Sequence, residues 1–241
     1  MQSGPEKEKN TFNCAALVRS KTVGYPARTR TEECKMKRKQ RNSALYLTQL
    51  ALLVAIEIVM KMIGLGSVPV GPLYMSFLTV PIAIGAIIMG PNAGMILGGV
   101  FGFVSFMDAI KGASIMTSNL LAVSPVHTLV LCVGTRVLMG LCVGWLYRVM
   151  EKLCKIRTVN CFAASLAAPL LNTLFFMGYI VLAFYQTEYI QGLVAGSGAA
   201  NPVMFVVLLV GVQGIVEAVV CSVAGTAVAA GLLKALKRMT H

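Results

Sequence analysis

The chain has 241 residues, of which 57% are hydrophobic and 12% charged, with a mean hydropathy of +0.77 and a formal net charge of +12. Soluble domains carry about 25% charged residues, so this composition excludes a soluble domain and indicates a polytopic membrane protein. The positive charge does not implicate nucleic acid: the basic residues collect at the ends of apolar runs, and no aromatics are interleaved for base stacking.

Residues 1–35 differ from all that follows. They are polar, carry Lys7, Lys9, Arg19, Lys21, Arg28, Arg30 and Lys35 against four glutamates, and hold no apolar run long enough for a signal peptide. Two readings fit: a disordered basic tail, or a misassigned start with Met36 and Lys37-Arg38-Lys39 as the natural beginning. The membrane domain is then 36–241.

Six apolar segments follow, at about 44–63, 76–90, 92–109, 126–149, 159–185 and 202–233. The expected fold is an all-α membrane protein of six transmembrane helices. The second and third segments, at ~15–18 residues, fall at or below the ~20 needed to cross ~30 Å squarely, and only Gly90-Pro91-Asn92 separates them. One side of the expected topology receives Lys37, Arg38, Lys39, Arg41, Arg148, Lys152, Lys155, Arg157, Lys234, Lys237 and Arg238; the other receives Lys61 and Lys111. That bias places both termini in the cytoplasm. Gly90, Gly94, Gly98 and Gly102 recur every four residues on the third span, and Gly140 and Gly144 repeat the spacing on the fourth. Small residues one turn apart let helices approach closely. Two outer connections, Gly64–Met75 and Lys111–Pro125, read as loops able to cover a pocket, and Tyr74 and Asn119 are their candidate ligand contacts.

Ionisable groups inside the spans are few: Glu57, Lys61, Asp108, Arg136 and Glu217. Glu57 and Lys61, four apart with Glu first, predict a local ion pair. Arg136 sits mid-span, where a charged guanidinium costs roughly 2.5–3.5 kcal/mol on insertion scales. A salt bridge to Glu217 would satisfy it structurally; a ligand group would satisfy it functionally. Asn172 and Gln213 lie at similar depth, and the four side chains together offer more donors and acceptors than one salt bridge needs. Catalytic patterns are missing. The two histidines, His127 and His241, stand in no metal or triad spacing, the seven cysteines form no CxxC, and there is no P-loop. No enzyme, metal or cofactor is indicated.

The block Pro81–Phe103, with its Gly90-Pro91-x-Ala93-Gly94 turn, resembles spans two and three of the S components of energy-coupling factor (ECF) vitamin transporters. Ala51-x-x-x-Ala55 on the first span is similar to the motif with which that family docks on its transmembrane T component. The resemblance covers roughly residues 36–238. It implies a binding subunit, resident in a bacterial cell membrane, that captures a vitamin-like small molecule outside and works with a T component and two ABC-type ATPases. It maps the ligand to the first loop, Arg136, Asn172, Gln213 and Glu217, and looks most like pantothenate-type members, with folate or riboflavin as other ligands. The rival from another class is a proton-coupled secondary transporter of a small organic anion, with Glu57 or Glu217 as proton carrier. No inverted internal repeat supports it.

Overall fold

The computed structural model describes residues 27–64, 68–70, 73–198 and 201–239, the side chains of 27–42, 68–70, 73–75, 212 and 236–239 excepted. The described chain is helical apart from one short hairpin: α1 (Ala27–Met62), β1 (Val68–Val70), β2 (Leu73–Met75), α2 (Thr79–Met89), α3 (Pro91–Ile110), α4 (Ile115–Val123), α5 (Pro125–Leu129), a π-helical turn (Val130–Gly134), α6 (Thr135–Leu153), α7 (Arg157–Phe184), α8 (Glu188–Ser197) and α9 (Pro202–Met239). Contacts divide the chain into residues 50–230 and a smaller unit of residues 1–49 with 231–241. In its described residues the smaller unit is the start of α1 and the end of α9, both helical. Most of the expected 1–35 tail lies outside the described residues, and the described helix begins at Ala27.

Five stretches are long and apolar enough to cross a membrane: Ser43–Met62, Pro91–Ile110, Pro125–Leu153, Arg157–Phe184 and Gln213–Ala235. The bent pair Glu188–Ser197 and Pro202–Gly211 makes six if it counts as one span. The second expected segment behaves differently. Its helix, α2, has 11 residues, about 16 Å of rise, roughly half a bilayer core. A turn at Phe77-Leu78 precedes it and Gly90, at φ +94°, ends it. That left-handed conformation favours glycine, and Pro91 then opens α3, where its missing N–H costs nothing.

The two connections expected on the outer side are more regular than their composition suggests. In the first, Val68 pairs with Met75, Pro69 with Tyr74 and Val70 with Leu73 in a small antiparallel hairpin. The second, expected as a loop, contains α4, because Met116 and Leu120 lie one turn apart and are both fully buried. They join Leu131, Met177, Ile180, Phe184, Ile190 and Phe205 in an apolar cluster.

The backbones of α3 and of the stretch Pro125–Leu153 come into direct contact. A Cβ on Gly98 would collide with the carbonyl of Arg136, one on Gly102 would lie 2.6 Å from the carbonyl of Cys132, and Gly94 and Gly140 meet backbone to backbone. Gly144 sits against Pro91, so the α2–α3 turn lies level with the end of α6 that carries the basic residues. The expected glycine stripe is thus an observed interface. Without a hydrophobic driving force between helices in lipid, such close van der Waals contact is what holds spans together. Gly98→Ala is expected to cost about 1–3 kcal/mol by overpacking, read as a lower thermal midpoint in detergent. Gly99→Ala is the control, since its Cβ would meet only the Val137 side chain at an ordinary 3.5 Å.

Candidate functional site

The glycine interface fixes where Arg136 can go. Its backbone is pressed against Gly98, so its side chain emerges beside α3. There the guanidinium carbon lies over the Phe101 ring at 4.3 Å from the centroid and over the Phe176 ring of α7 at 5.0 Å. Arg136 Nη1 donates to the Cys132 carbonyl, 2.9 Å away within the π-helical turn. In that turn the Thr135 N–H reaches five residues back to Val130, the widened pattern that recurs at functional sites in helices. Arg136 is 7% exposed, and its Nε has no hydrogen-bond partner. Among the described residues no carboxylate lies within ion-pair distance of it. The structural alternative, a buried Arg136–Glu217 salt bridge, is therefore not made here. Ring faces supply part of the compensation, a desolvated cation–π contact being worth about 2 kcal/mol.

Arg136 opens onto a cavity of about 260 Å³. Helix α7 supplies Asn172, Thr173 and Phe176, and α9 supplies Val210, Gln213 and Glu217; α3 adds Phe101, Val104, Ser105 and Asp108. Residues of α1 and of the start of α4 also reach it, so the site is wider than the four-five-six interface expected from the spans alone. The polar lining is poorly satisfied. Asn172 Oδ1, Gln213 Oε1 and Glu217 Oε1 are buried with no partner, as is Arg136 Nε. Glu217 is otherwise held by the backbone N–H of Ser76, the residue that follows β2. An unsatisfied buried polar group costs about 1–3 kcal/mol, so four around one cavity are a standing expense unless something binds there.

The structure thus brings Arg136, Asn172, Gln213 and Glu217 together. It does not bring Asn119 to them: Asn119 is exposed on α4, where Met116 and Thr117 face the cavity instead. Tyr74 has its backbone in β2, and its side chain lies outside the described residues. Ala51 and Ala55 are both exposed on α1, away from the cavity lining. The expected Glu57–Lys61 pair is replaced by one across helices. Lys61 pairs with Asp108 of α3, while both carboxylate oxygens of Glu57 are without a hydrogen bond. Asp108 wins because the close α3 packing carries it to the cavity edge, whereas Glu57 is 1% exposed and turned inward. Phe101, Phe176 and the Ser76 N–H escaped the sequence reading. The spacing of Phe101, Val104, Ser105 and Asp108 at i, i+3, i+4 and i+7 was the signal for that wall.

Residues 45–228 match the family described as the ECF transporter, substrate-specific component. The chain belongs to that family. No curated protein matches it. As a substrate-specific component it is a multi-pass membrane subunit for binding substrate, in a family whose members work with T and ATPase subunits and form no enzyme class. This fits a site with unpartnered polar atoms. If those atoms serve a ligand, Gln213→Leu should leave the thermal midpoint of the empty protein unchanged or raised, because an orphaned polar group is removed. A midpoint lowered by several degrees would make Gln213 structural.

Proposed function

We propose that this substrate-specific component captures a compact carboxylate vitamin in the cavity around Arg136, with pantothenate the best match. The observation that carries this is the set of four unpartnered polar atoms converging on one space: a guanidinium N–H and three oxygen acceptors. A ligand with a carboxylate at one end and hydroxyl or amide N–H groups along its length satisfies all four. Arg136 receives the carboxylate, and Asn172, Gln213 and Glu217 accept from the hydroxyl and amide groups. At about 260 Å³ the cavity lies just below the ~300–1,000 Å³ usual for ligand pockets, which favours pantothenate over the larger folate and riboflavin. Tyr74 and Asn119 belong to the two outer connections that cover the bound molecule.

In this reading residues 36–241 form the binding domain, in six crossings with both termini cytoplasmic in a bacterial cell membrane. The positive-inside bias supports that orientation. Ala51 and Ala55 form the small, exposed patch on α1 that docks on the T component, and two ABC-type ATPases supply the energy. The proton-coupled carrier is the second reading, favoured by the uncompensated carboxylates Glu57 and Glu217.

Calorimetry on the purified protein with pantothenate tests the substrate. Tight binding is expected, and Arg136→Lys, which keeps the charge but loses the planar fork, should weaken it about tenfold or more. Unchanged affinity would remove Arg136 from the ligand site. Bulky residues at Ala51 or Ala55 should abolish uptake in liposomes containing the whole transporter while leaving binding intact. Uptake by the isolated protein under a proton gradient would establish the carrier instead.

A further inference from the structure

The charged residues at the cavity divide by exposure. Arg136 and Glu217 are 7% and 5% exposed, whereas the side chains of Lys61 and Asp108 are 23% and 20% exposed. The Lys61–Asp108 pair therefore stands at the solvent side. It joins the last turn of α1 to the end of α3, and both residues line the cavity, so the pair spans its edge. One turn below Lys61 on the same helix, Glu57 is buried with neither oxygen hydrogen-bonded. Leu53, a further turn below, packs within 3.2 Å of where a Cβ on Gly85 would stand, so this face of α1 is turned toward α2.

A charge pair of this kind does not open readily. Separating an ammonium from its carboxylate at a partly dry site leaves both uncompensated, which is strongly destabilising. Opening becomes cheap only if a second carboxylate takes over the ammonium. Residues at i and i+4 on a helix have Cβ atoms about 5–6 Å apart, and Glu before Lys is the favourable order. Glu57 is so placed, and it is the carboxylate that lacks any partner.

We propose that Lys61 is a latch with two seats. Paired with Asp108 it closes the solvent side of the cavity; swung back along its own helix onto Glu57 it opens that side, and the ammonium keeps an acidic partner in both positions while the part-exposed Asp108 turns to solvent. Two acidic seats for one ammonium make a two-state element, which a ligand shifts by binding one state better than the other. The latch governs access and is independent of which ligand the cavity takes.

The test needs no ligand. A cysteine is placed at Ser105, on the cavity wall, in the full chain, and its reaction rate with methyl methanethiosulfonate is measured above the background of the chain without it. Asp108→Asn removes the closed seat and should raise the rate about fivefold or more. Glu57→Gln removes the open seat and should lower it about threefold or more. If Glu57→Gln does not fold, Glu57→Asp carries the same prediction, because its shorter side chain falls short of Lys61. An unchanged rate in Asp108→Asn shows that the pair does not close the cavity. An unchanged or faster rate in the Glu57 variant shows that Glu57 is not a seat. Either result overturns the proposal, and neither bears on whether the cavity binds a vitamin.

Discussion

The backbone-to-backbone contact of α3 with the stretch Pro125–Leu153 sets the rest of the site. Gly94, Gly98 and Gly102 have no side chain to hold the helices apart, so the carbonyls of Gly140, Arg136 and Cys132 sit where Cβ atoms would otherwise be. At that distance the side chains of one helix overhang the other. Phe101 comes under the Arg136 guanidinium, and Asp108, two turns further along α3, comes to the cavity edge opposite Lys61. A methyl group anywhere on the stripe would move an aromatic ring, a guanidinium and an ion pair together. The geometry of the proposed site is thus tied to the geometry of packing.

Arg136 shows how a charge is kept in an apolar helix without a counter-charge. Two ring faces and one backbone carbonyl stabilise it, and each does so without consuming a carboxylate. The Nε is left over, and so are the side-chain oxygens of Asn172, Gln213 and Glu217. In a structural salt bridge these atoms would have satisfied one another. Left unpaired around a common space, in a chain that belongs to a substrate-binding family, they are the ground for proposing a ligand there that carries both acceptors and donors.

Much of this was legible in the sequence, and the reasons are physical. Mid-span Arg136, Asn172, Gln213 and Glu217 stand out because a polar group in lipid is expensive, and the structure gathers all four at one cavity. The glycine stripe was legible because its four-residue period matches the helix, and it became an interface. Pairing was not legible. Glu57 and Lys61 have the spacing of a local ion pair, but which carboxylate Lys61 meets depends on how close α3 lies, a distance no periodicity encodes. Aromatic partners were missed for a similar reason: Phe101 and Phe176 read as two more apolar residues until a guanidinium is placed over them. The length of α2 was also hidden, since an apolar run shows where a helix can form and not where turns cut it short.

The most direct test of the central claim is a structure of the protein with pantothenate bound. Ligand density is expected in the cavity, with a carboxylate oxygen about 2.7–2.9 Å from Arg136 Nε and ligand donors on Asn172, Gln213 or Glu217. Density outside this cavity, or an Arg136 turned away from Phe101 and Phe176 into an ion pair with Glu217, would contradict it.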